Sequence, residues 1–233
     1  MPDVTFEAVP GRVRAYAAEP ATRPPWPGVV VIHEALGLND DIRAKADRFA
    51  ARGYLALAPD LFSIGRKPLC VVSAMRSLFK GAGPAVDVLD AARAELAGRP
   101  DCSGKVGIIG FCMGGGFALL AAPRPGFDAS AANYAQLPRE PAGFFRGACP
   151  VVASYGGKDR MLKGAAAKLE AALSANGVEH DVKEYADASH SFLTTYDGAL
   201  GALSRVSGIG HHAPSADDAW RRIDAFLDRQ LKA

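Results

Sequence analysis

GKVGIIGFCMGGG, residues 104–116, sets a short apolar run against a glycine-rich turn and places one thiol, Cys112, inside the turn. The run KVGIIG (105–110) does not alternate in polarity, as expected of a strand covered on both faces in a parallel sheet. FALLAA, after the glycines, reads as a helix. A strand that passes sharply into a helix is the repeating unit of an α/β layer, so the neighbouring segments should follow the same alternation.

They do so in both directions. GVVVIH (28–33) and YLALAP (54–59) read as strands upstream, and ASAANY (129–134), PVVASY (150–155) and VEHDVKEY (178–185) as strands downstream. Between the first two, Asn39 and Asp40 supply N-cap chemistry, Ile42, Ala46, Phe49 and Ala50 recur at helical spacing, and Gly53 ends the run. Helices are also expected over 84–96, 163–177 and 215–231. VTFEAV and RVRAYA flank the turn dipeptide Pro10–Gly11 as a hairpin. The expected fold class is α/β, one domain over 1–233, with a mostly parallel central sheet sandwiched between two helical layers. Residues 60–83 and 194–214 are the least regular, and they are expected to form loops over a site.

Composition narrows the partners. Of the 233 residues, 49% are hydrophobic, and 27 basic against 25 acidic residues leave a formal charge of +2. These charges are scattered, which gives no electrostatic footprint for nucleic acid or an anionic membrane, so a small molecule is the expected partner. MPDVTFEAV carries an acid where a secretory signal carries bases, and no run approaches the ~20 apolar residues that span a bilayer. A cytoplasmic protein, a monomer or weak homodimer, is expected. Its four cysteines, Cys70, Cys102, Cys112 and Cys149, lack the spacing of a zinc site, and neither metal nor organic cofactor is expected.

Ligands of open parallel sheets bind beyond the carboxyl ends of the strands, so reactive groups just past each strand carry the most information. Glu34, Cys112, Asp159 and His190 hold such positions. Cys112 could be a small buried filler, and its glycines a phosphate cradle. The loop, however, lacks the lysine and hydroxyl of a P-loop and the spacing of a dinucleotide fingerprint. Within Gly110–Cys112–Gly114 the thiol instead stands where a nucleophile elbow presents its side chain, with the Met113 amide at the helix start. Nucleophile, acid and histidine then follow in the chain order of the α/β hydrolase fold. His33 is read as a core or wall residue; His180 falls inside a strand, and His211 and His212 adjoin a loop proline.

The pattern resembles the dienelactone hydrolases, or carboxymethylenebutenolidases, of the α/β hydrolase superfamily. The matching segments are VIHEALGLN (31–39), GYLALAPDLF (53–62), GKVGIIGFCMGGG (104–116), YGGKD (155–159) and ASHSF (188–192). The resemblance implies a three-layer α/β hydrolase sandwich without a separate cap domain. Carried over residue by residue, it implies Cys112 as nucleophile, His190 as general base and acid, Asp159 orienting His190, and Glu34 helping to take the thiol proton. The amides of Ala35 and Met113 would form the oxyanion hole. The implied activity is opening of an enol lactone, or cleavage of an activated ester, through an acyl-enzyme. A broader esterase or thioesterase with the same triad is the alternative, and a non-catalytic thiol sensor on the same scaffold is a third reading.

The family's substrate carboxylate meets arginines, one of them four residues after the histidine; that position is Thr194 here. Arg66 and Arg76 are candidate replacements, and Tyr134 and Ser191 are further candidate substrate contacts.

Overall fold

Val30 and Ile32 point into one apolar cluster and Val29 and Val31 into another, which is why the strand that carries them shows no polar alternation. The same division runs along the neighbouring strand, with Ile108 on one side and Ile109 on the other. A computed structural model describes residues 3–9, 11–63, 67–196 and 209–233.

Its strands are β1 (Asp3–Ala8), β2 (Gly11–Ala18), β3 (Trp26–Ile32), β4 (Leu55–Pro59), β5 (Cys102–Phe111), β6 (Ala129–Asn133), β7 (Val151–Gly156) and β8 (His180–Tyr185). They form one sheet in the order β1-β2-β4-β3-β5-β6-β7-β8. β1 pairs antiparallel with β2, and β2 antiparallel with β4; every later pairing is parallel. The hairpin therefore closes one edge of a six-stranded parallel core.

The helices are α1 (Asp40–Ala51), α2 (Lys67–Lys80), α3 (Pro84–Ala97), α4 (Met113–Ala121), α5 (Pro141–Phe144), α6 (Ala165–Ala175) and α7 (Ala213–Leu231). α2, α3, α4 and α6 bury Leu78, Leu89, Phe117 and Leu169 in one cluster, whereas α1 and α7 bury Phe49 and Phe226 in the other. Each such side chain contributes about 2 kcal/mol through its removal from water, so both layers are driven by burial. The expected three-layer α/β hydrolase architecture is the observed one.

The expectation for residues 60–83 needs correction, because α2 occupies most of that stretch. Ala74 and Leu78 face the core, but Leu69, Val72 and Phe79 remain exposed on the same helix. Apolar residues on both faces blur the 3.6-residue signal that identifies a helix. The short α5 also went unread, since four residues are too few to show a period. α7 starts at Ala213, two residues before the expected boundary, with Pro214 in its first turn, where the missing N–H costs nothing. Among the described residues, no helix is long and apolar enough to cross a membrane.

Candidate active site

The turn from β5 into α4 is tight enough to exclude side chains at two positions. A methyl group on Gly110 would collide with the Gly114 carbonyl, and one on Gly114 would collide with Ile32 O and come within 2.7 Å of His33 O. The start of α4 thereby packs directly against the end of β3, through Gly114 against the carbonyls of Ile32 and His33. Cys112 takes the strain of this turn at φ 54°, ψ −115°. Its amide donates to Asn133 O at 3.1 Å, while Asn133 Nδ2 donates to Gly110 O at 3.1 Å. Among the described residues two more that are not glycine have positive φ, Tyr134 at 40° and Ser191 at 60°. All three follow strand ends on the same side of the sheet, and backbone strain of this kind concentrates at functional sites.

His190 is carried there by the chain after β8. Gly157 N donates to Tyr185 O at 2.8 Å and Lys158 N to Ala188 O at 2.9 Å, tying the acid turn to the histidine loop. Nδ1 of His190 then lies 2.6 Å from Asp159 Oδ2, with 2% of the Asp159 side chain exposed. A carboxylate only accepts, so Nδ1 carries the proton and Nε2 is left with its lone pair. Among the described residues Nε2 is buried without a hydrogen-bond partner, at the position from which a base would act. The other oxygen of Asp159 accepts from Met161 N at 3.0 Å. Both oxygens of this acid are therefore occupied.

Glu34 is also buried, and three hydroxyl groups organise it. Thr194 Oγ1 donates to Oε1 at 2.7 Å, Tyr196 OH donates to Oε2 at 3.0 Å, and Tyr134 OH stands 2.9 Å from Thr194 Oγ1. Because the threonine hydroxyl donates to the carboxylate, it accepts from Tyr134. Burial holds both phenols protonated well above the ordinary tyrosine range. Beneath them Lys45 is buried, ion-paired with Asp41 and 4.7 Å from the Phe111 ring centroid. Asp41 in turn accepts from Thr195 N at 3.3 Å.

His33, next to Glu34, is fully buried and accepts from Leu61 N at 3.0 Å through Nε2. Its proton therefore sits on Nδ1, which donates to Glu34 O at 2.6 Å. Burial pushes its pKa down, so it stays neutral and acts as a brace for the Glu34–Ala35 turn.

Burial pushes the Cys112 thiol up to about 11, and the Glu34 carboxylate adds to the effect; the Met113 amide opposes both. At neutral pH the sulfur is a protonated thiol, protected from the oxidation that a standing thiolate invites. We predict that Glu34→Gln speeds alkylation of Cys112 by iodoacetamide at pH 8 about tenfold, because removing a nearby like charge favours the thiolate. The same substitution should slow ester turnover. Alkylation rates against pH check the sign: reactivity should rise towards pH 11 in the unmodified chain and at lower pH in the variant.

The residues expected from sequence divide into two groups. Cys112, Asp159, His190 and Glu34 converge at the carboxyl ends of β5, β7, β8 and β3, with Ala35 in the exposed turn after Glu34 and Met113 at the start of α4. Tyr134 and Ser191 lie beside them but are buried; the Tyr134 hydroxyl is taken by Thr194, and its ring packs 5.2 Å from that of His190. Arg76 is exposed on α2, and Arg66 lies outside the described residues. Sequence reasoning missed Asn133, Thr194, Tyr196 and Lys45. Thr194 alone carried a signal, as the departure from the arginine at that position.

The chain matches the family model for the dienelactone hydrolase family over residues 13–231. A protein of Escherichia coli O157:H7, provisionally named a carboxymethylenebutenolidase, is 30% identical, the match covering 94% of this chain and 84% of that protein. One from Methylorubrum extorquens with the same provisional name is 29% identical over 93% of this chain and 77% of the relative. Among solved structures, a provisionally named dienelactone hydrolase from Klebsiella pneumoniae superposes with TM-score 0.77 at 25% identity, covering 97% of this chain and 98% of the other. A dienelactone hydrolase-like promiscuous phosphotriesterase from metagenomic libraries shares the fold at TM-score 0.80 and 23% identity, covering 99% and 98%.

Proposed function

The chain belongs to the dienelactone hydrolase family of carboxylic ester hydrolases, and from that premise we propose that it opens enol lactones or cleaves activated esters through Cys112. The single observation that carries this reading is the His190–Asp159 pair at 2.6 Å, with an open Nε2 at the strand ends where the elbow presents Cys112.

Substrate brings its carbonyl to the sulfur, with its oxygen between the Ala35 and Met113 amides. The thiol proton passes to Nε2 of His190, with Glu34 assisting its departure, so that His190 holds the proton the leaving group needs. The thiolate attacks, the two N–H groups hold the tetrahedral oxyanion, and the C–O bond of the ester breaks. His190 returns its proton to the departing oxygen, then takes one from the water that hydrolyses the thioester. A thiolate is itself a good leaving group, so collapse of the intermediate goes forward only when the ester oxygen leaves at least as readily. Enol and aryl esters satisfy that condition and alkyl esters do not.

Thr194 favours a second reading of the substrate range. It is spent on Glu34 and offers no positive charge to a substrate carboxylate, so uncharged esters and thioesters fit this site as well as an anionic lactone. A panel of dienelactone, phenyl acetate and ethyl acetate tests both readings. Phenyl acetate should exceed ethyl acetate in kcat/KM by at least about 100-fold, since nearly 3 kcal/mol of leaving-group stabilisation separates them. Equal rates would remove the thiol-based account. Dienelactone turned over faster than the aryl ester would favour the narrower lactonase.

A further inference from the structure

β6 and β7 leave the sheet beside the candidate active site, and the segments that follow them border a half-open cavity together with Phe79 of α2. It measures about 430 Å³, and Cys112, Glu34, Asp159 and His190 are not among the residues lining it. We propose that this cavity is a binding site for an organic anion with an apolar body, an aryl or alkyl carboxylate or phosphate monoester.

Charge gives the first argument. Arg139, Lys163 and Lys168 line the cavity, and no aspartate or glutamate does. Elsewhere lysines such as Lys105, Lys183 and Lys232 are paired with Asp128, Asp218 and Asp228, whereas none of these three cations joins an ion pair among the described residues. Three exposed like charges border one concavity that no carboxylate lines, which gives it a positive potential that favours an anion. α6 reinforces them: it begins at the cavity wall with Gly164 as its N-cap, which provides no side-chain acceptor, and its first turn holds no acid. The positive end of that helix is thus uncompensated.

The walls give the second argument. Phe79 and Met161, which border the cavity, are 52% and 71% exposed, and Leu137 and Leu162 line it more deeply. A purely inorganic ion would leave these apolar side chains in water, while an aryl or alkyl body would cover them. The cavity is also preformed. Asn176 Nδ2 donates to both Ala142 O at 2.7 Å and Ala172 O at 2.8 Å, fixing α5 to α6, and Asp159 caps the Met161 turn. A volume of this order, mixed lining and fixed walls are the attributes of small-molecule sites.

The four methionines include one reporter for each site, Met113 at the elbow and Met161 at the cavity. The chain labelled with 13C-methyl methionine is titrated with phenylacetate, phenyl phosphate and, as a neutral control, benzyl alcohol, with Met161→Leu assigning the resonance. At least one anion should shift the Met161 methyl saturably, and whichever does so identifies carboxylate or phosphate as the preferred head group. Lys163→Gln/Lys168→Gln should weaken that binding about tenfold, the combined effect of two exposed charges. Shifts confined to Met113, no saturable shift with either anion, or an equal response to benzyl alcohol would overturn the proposal. So would a double variant that binds as tightly as the original chain.

Discussion

Replacing Cys112 with alanine should lower kcat for phenyl acetate by at least about 10⁴-fold and leave the fold in place. Loss of the attacking atom removes the covalent route altogether, and only orientation and the oxyanion amides remain. The structure should tolerate the change, because the strain at φ 54° belongs to the backbone and alanine bears it as cysteine does. Far-ultraviolet circular dichroism and the melting temperature separate lost chemistry from lost folding. Cys112→Ser is expected to recover little, since this site is built around a group whose proton leaves far more readily than that of a hydroxyl.

Asp159→Asn should cost nearly as much, about 10⁴-fold in kcat or 5.5 kcal/mol, with KM little changed. The asparagine can keep its carbonyl on Met161 N, so the turn survives, but it then turns an NH₂ donor towards Nδ1 of His190. The imidazole answers by moving its proton to Nε2, and the lone pair that should accept a proton is gone. Asp159→Ala should lose similar activity and also the cap on the Met161 turn. An Asn variant with wild-type kcat would mean that His190 is not the base.

Much of this arrangement is legible in the chain. Parallel strands buried on both faces are continuous apolar runs, which is why GVVVIH and KVGIIG could be placed within a few residues of β3 and β5. The elbow is legible because close backbone approach at Gly110 and Gly114 demands glycine and leaves a pattern. α2 was not, because its exposed Leu69, Val72 and Phe79 erase the amphipathic contrast. Nor was the support around Glu34. Thr194 and Tyr196 reach it from 160 and 162 residues away; Thr194 is marked only as a departure from the family's arginine, and Tyr196 carries no mark of the contact. Lys45 is the extreme case, a charged residue at a helical position that faces inward, where sequence periodicity expects only apolar groups.

The most direct test of the thiol mechanism is to stop phenyl acetate turnover with acid within milliseconds and measure the mass of the protein and of its peptides. The account predicts an acetyl increment on the peptide containing Cys112, released by hydroxylamine as a thioester is and absent from Cys112→Ala. An increment on another residue, or a pre-steady-state burst of phenol with no adduct at Cys112, would contradict it.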